Sequence, residues 1–226
     1  MTGAAANVGG ARRHGQAVAV LRGGLACVLV CGAVVGVAMG AAETKPKVPI
    51  GVDPGGVAVA VIGDGLDYTD ARIAARLARD GEGELVGFDL VDRDRRPHAP
   101  PAEGQPEHPA SVVLRHAPGV RIAPFRVAGQ DTRQIAEAIT MVARSPARIV
   151  LFQQAPPAQL LREAAPLFPQ LSFKVPAPAA DAGYPADVAG LGNVAIGCRD
   201  AAGDACATAA MQAALHAIVL GGKSAP

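Results

Sequence analysis

The stretch Val57–Tyr68, VAVAVIGDGLDY, joins a continuous apolar run to a glycine-rich turn that carries Asp64 and Asp67. An unbroken run of β-branched and small apolar residues is typical of a parallel strand that is buried on both faces. Open α/β sheets place their chemistry where such a strand ends. The stretch therefore predicts a central strand over Val57–Ile62 and a candidate site in the turn that follows it.

Strands and helices alternate over the rest of the chain. Apolar segments predict further strands over Glu84–Val91, Val120–Val127, Ala147–Phe152, Leu171–Val175 and Asn193–Ile196. Helical spacing predicts helices over Asp70–Arg79 (with Asp70 as N-cap), Ala110–Arg115, Thr132–Ala143, Gln159–Ala165 and Ala205–Leu220. Such alternation implies right-handed crossovers between parallel strands. We therefore predict an α/β fold with three αβα layers around a mostly parallel sheet.

Composition and charge exclude some classes of function. The chain has 226 residues, is 50% apolar and carries a formal net charge of +1, which allows one domain with a substantial core. No basic stripe or aromatic platform is present, so we expect no nucleic-acid partner. Asp89, Asp92 and Asp94 could offer oxygen ligands to calcium. The arginines interspersed with them favour a solvated, self-neutralising charge run instead, and we predict no metal or cofactor.

The N-terminus has the layout of a secretory signal peptide. Basic residues at positions 12, 13 and 22 precede an apolar run over Leu25–Met39, and small residues follow it. The run is about fifteen residues long, whereas a membrane span needs roughly twenty. We predict a signal peptide over residues 1–42, a linker over 43–56 and a folded domain over 57–222, exported to the periplasm or the medium. The alternative is that residues 25–42 remain as a membrane anchor, and we expect membrane contact only there.

Two cysteines, Cys198 and Cys206, lie in the predicted mature chain. An oxidising compartment permits a disulfide between them. The alternative is a pair of buried free thiols. A zinc site is not predicted, because no second Cys or His pair stands nearby at ligand spacing.

Several segments, taken in order, resemble the subtilisin-like serine proteases. VAVAVIGDGLDY is similar to the family's first catalytic motif, V-A-V-I-D-T-G-I-D-Y, and Gly83–Pro97 and Ala117–Val127 are similar to two of its framework stretches. Gly104–Ser111 stands in the place of G-H-G-T-H-V-A-S, and Gly203–Ala209 in the place of G-T-S-x-A-T-A. The resemblance implies a subtilisin-like domain. It also implies a truncated one, because few residues separate the last strand from the last motif.

The resemblance further implies that the catalytic set is missing. The positions of the family's catalytic Asp, His and Ser hold Gly63, Gln105 and Ala205. The family's oxyanion-hole Asn corresponds to Ala180 or Asp181. Neither a methyl group nor a carboxylate can donate the hydrogen bond that stabilises the developing anion.

Two nearby residues are weak substitutes for the missing groups. Asp64 is one residue from the Asp position, but a one-residue shift turns a strand side chain to the opposite face. His108 matches a framework His of the second motif rather than the catalytic one. We therefore predict an exported, inactive homologue that binds a peptide or protein partner. The alternative is an active serine endopeptidase with a displaced catalytic set.

Overall fold

The structure is a computed structural model that describes residues 45–100, 107–177 and 183–197. The chain divides into two units, Met1–Ala42 and Glu43–Pro226, and all described residues belong to the second. Several sequence predictions lie outside the described residues and stay predictions: the signal peptide, the Cys198–Cys206 disulfide, the Ala205–Leu220 helix, and the assignments of Gln105, Ala180, Asp181 and Ala205.

The described residues form a six-stranded sheet in which every pair of neighbouring strands is parallel. The strand order is β2-β3-β1-β4-β5-β6, which places β1 near the middle of the sheet. The strands are β1 (Ala58–Gly63), β2 (Phe88–Asp89), β3 (Arg121–Arg126), β4 (Ile149–Phe152), β5 (Ser172–Val175) and β6 (Val194–Ile196).

Helices connect these strands and cover the sheet. They are α1 (Ala71–Ala74), α2 (Pro109–His116), α3 (Thr132–Ala143), α4 (Ala158–Leu167) and α5 (Ala186–Ala189). The prediction for α3 is confirmed residue for residue, and its apolar face at Ile135, Ala138, Ile139 and Val142 is buried. Helix α5 was not predicted, because a single turn carries no periodic signal.

Two apolar cores lie on opposite faces of the sheet, and β1 contributes to both. Ala58, Ala60 and Ile62 belong to the core that includes the buried residues of α3 and α4, whereas Val59 and Val61 belong to the core that includes those of α1 and α2. All six residues of β1 are buried. Helices on both faces of a parallel sheet make a three-layer α/β fold, which confirms the predicted fold class.

Two predicted elements are shorter than expected, because a loop between them pairs with β3. The predicted Asp70–Arg79 helix begins as expected with the Asp70 cap but ends at Ala74. The chain then becomes extended, and the Ala78 N–H donates to the Ile122 carbonyl at 2.8 Å. The predicted Glu84–Val91 strand contributes only β2 to the sheet, since its first half forms an isolated antiparallel bridge with the loop.

Residues 45–56, predicted as a linker, contain no helix or strand, and several contacts hold them against the domain. The Tyr68 hydroxyl donates to the Pro46 carbonyl at 2.9 Å. The Arg79 guanidinium, which is buried, donates to the Pro49 carbonyl. Arg121 forms an ion pair with Asp53. We call residues 45–56 the N-terminal strap.

Candidate functional site

A cleft lies at the carboxyl end of β1, where the sequence places the candidate site. Its volume is about 400 Å³. The turn from Asp64 to Asp67, helix α1, the first turn of α2 and Gln153 at the end of β4 form its walls. Ala99 and Pro100 supply apolar surface, because Leu66 and Ile73 are almost fully buried, and the other lining side chains are largely polar or charged. The carboxyl ends of parallel strands are the usual place for ligand sites in open α/β sheets.

Position 63, next to Asp64 at the end of β1, carries no side chain. A Cβ atom on Gly63 would lie 2.1 Å from Oε1 and 2.6 Å from Cβ of Gln153. Real carbon atoms do not approach so closely, so the Gln153 side chain occupies the space that any side chain at position 63 requires. The glycine at this position and the glutamine on the neighbouring strand fit together.

Asp64 is half-buried and is held by two glutamines. Its backbone N–H donates to Gln153 Oε1 at 2.9 Å, and its carboxylate accepts from Gln154 Nε2 at 3.1 Å. Its carbonyl also accepts from the Arg126 guanidinium at 3.2 Å. The Asp64 carboxylate therefore accepts from a side-chain amide, whereas the Asp of a Ser-His-Asp arrangement accepts from an imidazole N–H and orients that ring.

His108 lies in the same cleft and serves as the N-cap of α2. Its Nδ1 accepts from the Ala110 N–H at 3.1 Å, while Nε2 is buried and has no hydrogen-bond partner within the part of the chain that the structure describes. Burial lowers the pKa of His108, and the Gly65 backbone and the charge of Asp64 oppose this shift only in part. The structure thus brings the two proposed substitutes, Asp64 and His108, into one cleft without a hydrogen bond between them.

Carboxylates dominate the charge around the cleft. Asp70 forms an ion pair with Arg72 at 2.8 Å, and this partner holds the pKa of Asp70 below its usual range. The Asp67 carboxylate accepts from the Thr69 N–H at 3.0 Å and lies 3.6 Å from Nε2 of His98. The exposed residue Glu107 contributes a further carboxylate to the rim.

A second cluster of charges lies at the end of β2, and one of the sequence predictions is wrong there. Asp89, predicted to be part of a solvated charge run, is fully buried. It pairs with Lys45 of the N-terminal strap and with Arg126 of β3, the latter at 2.9 Å. Burial alone would raise the pKa of Asp89, but hydrogen bonds from Lys45, the Asp92 N–H and Arg126 lower it overall. Its partners are therefore distant in sequence, and not the neighbouring arginines.

The sequence did not predict three residues that the structure places in or near these sites. Gln153 and Gln154 directly follow the predicted strand Ala147–Phe152. This position at the carboxyl edge of the sheet could have indicated that they belong to the site. No local sequence pattern predicts the contact of Lys45 with Asp89, because the two residues are 44 positions apart. Among the described residues, no group of three or more His, Cys, Asp or Glu is arranged to hold a metal ion.

Comparison with known proteins adds no relative. No protein-family model matches the chain, and no curated protein sequence matches it. Within residues 45–100, 107–177 and 183–197, no helix is long and apolar enough to cross a membrane.

Proposed function

We propose that this chain is an exported, non-catalytic relative of the subtilisin-like serine proteases that binds a peptide or protein segment in the cleft after β1. The observation that carries the proposal is the occupied space beside Gly63, which Gln153 fills. A protease of this kind needs a carboxylate there to orient its catalytic base. The neighbouring Asp64 does not supply it, because its carboxylate is bound by Gln154.

The cleft itself supports a binding role. Its volume of about 400 Å³ is in the range of sites that hold one or two side chains or a small ligand. Among the described residues, the Ser111 hydroxyl and the Gln153 amide nitrogen line this cleft without a hydrogen-bond partner. Unpaired polar groups beside the apolar surface of Ala99 and Pro100 suit a ligand that combines apolar side chains with backbone amides.

The absence of catalysis is tested with the purified mature protein. We expect no turnover of casein and no labelling by a fluorophosphonate probe, since nucleophile, base and carboxylate act as a unit. Probe labelling or turnover would favour the alternative, an active endopeptidase with a displaced catalytic set.

Binding is tested on a peptide array, with hits confirmed by calorimetry. Ser111→Trp fills the cleft and should weaken binding at least roughly tenfold, as loss of a well-packed contact does. Ala136→Trp adds the same bulk on the exposed side of α3 and should leave affinity unchanged. If no peptide binds, or if both variants bind equally well, the cleft is not the binding site. Export is tested separately by cell fractionation and N-terminal sequencing.

A further inference from the structure

Helix α2 has a titratable N-cap. The Nδ1 atom of His108 accepts the Ala110 N–H, whereas α1 and α3 are capped by the carboxylates of Asp70 and Asp131. Pro109 occupies the first position of α2 and has no N–H, so Ala110 carries the first amide of the helix that needs an acceptor. Among the helices of the described ranges, α2 alone depends on an imidazole for its cap.

An imidazole can cap a helix only in its neutral form. Nδ1 of His108 must keep its lone pair to accept from Ala110, and the imidazolium carries a proton on both nitrogens. A proton on Nδ1 would face the donor N–H directly. It would also place a positive charge at the helix N-terminus, where the macrodipole disfavours cations. Protonation of this side chain therefore replaces a hydrogen bond with two repulsive interactions.

The surroundings of His108 decide which form the ring adopts. Its Nε2 is buried, so a charged ring would lose hydration, and the Gly65 backbone, which can accept from the charged ring, offsets this loss only in part. Asp64 in the turn after β1 favours the charged form, while Gln153 at the end of β4 is neutral. The other charged groups of the cleft are Asp67, Asp70, Arg72 and Glu107. Burial is the larger influence and lowers the pKa of His108 from its ordinary value of 6.5.

We propose that His108 is a pH-sensitive cap whose protonation on acidification breaks the Ala110 N–H···Nδ1 hydrogen bond and loosens α2. Because the pKa of His108 is lower in the folded chain than in the unfolded chain, the contribution of the cap to stability is fully present above about pH 6.5, and the cap is lost as the pH falls through the lower pKa of the folded chain. Helix α2 contributes His108 and Ser111 to the wall of the cleft. Acidification would therefore also weaken ligand binding if the cleft has the proposed function. The loosening of α2 itself does not depend on that function.

Hydrogen exchange of the full mature chain tests the cap without any ligand. The protection factors of the α2 amides, corrected for intrinsic exchange, are followed by NMR from pH 8 to pH 5. The amides of α3 serve as the internal reference for global stability. In the wild type we expect α2 protection to fall about fivefold relative to α3, the effect of losing one N-cap.

Two variants separate capping from general acid sensitivity. His108→Asn keeps a capping oxygen but cannot titrate, so its α2 protection should not change with pH. His116→Asn removes an exposed histidine at the other end of the same helix and should behave as the wild type. Constant α2 protection in the wild type, or an equal loss in His108→Asn, would overturn the proposal.

One measurement needs no variant. The ring resonances of His108 in the wild type should shift over the same pH range in which α2 loses protection. If the ring titrates while α2 protection stays constant, the cap does not control the helix and the proposal is wrong.

Discussion

Gly63 and Gln153 are complementary residues on neighbouring strands. The glycine leaves a space at the end of β1, and Gln153 uses that space to bring Oε1 within 2.9 Å of the Asp64 N–H. The glutamine thereby orders the turn that lines the cleft. Position 63 is thus part of the packed structure of this chain.

A side chain at position 63 should therefore destabilise the fold. Gly63→Ala places a carbon 2.6 Å from the Gln153 Cβ, and overpacking of this kind costs about 1 to 3 kcal/mol of the free energy of unfolding. Urea denaturation followed by circular dichroism measures the loss. Gly119→Ala is the matched control, since nothing lies within 4 Å of a Cβ at that position. The double variant Gly63→Ala/Gln153→Gly, which also removes the Gln153 Cβ, should recover part of the loss, and additive effects would contradict the packing argument.

The N-terminal strap should depend on Lys45 for its position. The Lys45 ammonium contacts Asp89 and Asp92, whereas Lys47, two residues later, is exposed. We expect Lys45→Ala to lower the free energy of unfolding by about 1 to 2 kcal/mol, because it removes hydrogen bonds between charged groups around a buried carboxylate. It should also speed limited proteolysis within residues 45–56. Lys47→Ala should change neither, and equal effects of the two substitutions would show that Lys45 does not hold the strap.

Asp89 should make stability depend on acid pH. Its pKa is lower in the folded chain than in the unfolded chain, so its contribution is fully present above about pH 4 and is lost as the pH falls further. Asp89→Asn removes the charge and should cost about 2 kcal/mol at pH 7, in line with lost hydrogen bonds to Lys45 and Arg126.

The difference between wild type and Asp89→Asn should then shrink between pH 4 and pH 2, as measured by urea denaturation at each pH. Glu163→Gln makes the same chemical change at an exposed site of α4 and should show no such trend. A difference that stays constant with pH would mean that the Asp89 charge contributes nothing.

The sequence carries enough local information to predict the sheet, but not the conformation of the loops that flank it. Val57–Ile62 and Thr132–Ala143 were predictable because continuous burial and helical periodicity are properties of short windows. Asp70–Arg79 also has helical spacing, yet its second half pairs with Ile122. A tertiary contact overrides a local preference there, and no window of sequence contains both partners.

The site was predictable in its location but not in its contacts. A glycine and an acidic residue after a central strand indicate where the cleft lies, and Asp64 and His108 do line it, with Gly63 next to Asp64 at the end of β1. The filling of that space by Gln153 joins residues 90 positions apart, and the pairing of Asp89 with Lys45 depends on the path of the strap. Such relationships follow from packing in three dimensions and leave no local pattern.

Asn193 should hold the end of α4 to the edge of the sheet. Its Nδ2 donates to the carbonyls of Ala165 at 3.0 Å, Phe168 at 3.3 Å and Leu171 at 3.1 Å. Asn193→Ala removes this donor from three partly buried acceptors, of which the Phe168 carbonyl still accepts from the Leu171 N–H, and should cost about 1 to 3 kcal/mol of the free energy of unfolding.

Asn193→Asp distinguishes the loss of hydrogen-bond donation from the loss of packing, because it keeps the shape of the side chain and replaces the donor with a negative charge. It should destabilise the chain more than Asn193→Ala does, since a carboxylate beside carbonyl oxygens is repelled as well as unpaired. Gln159→Ala, which removes an exposed amide from α4, should change the free energy of unfolding by less than about 0.5 kcal/mol. If the aspartate variant were as stable as the wild type, the three hydrogen bonds would not be what joins α4 to β5 and β6.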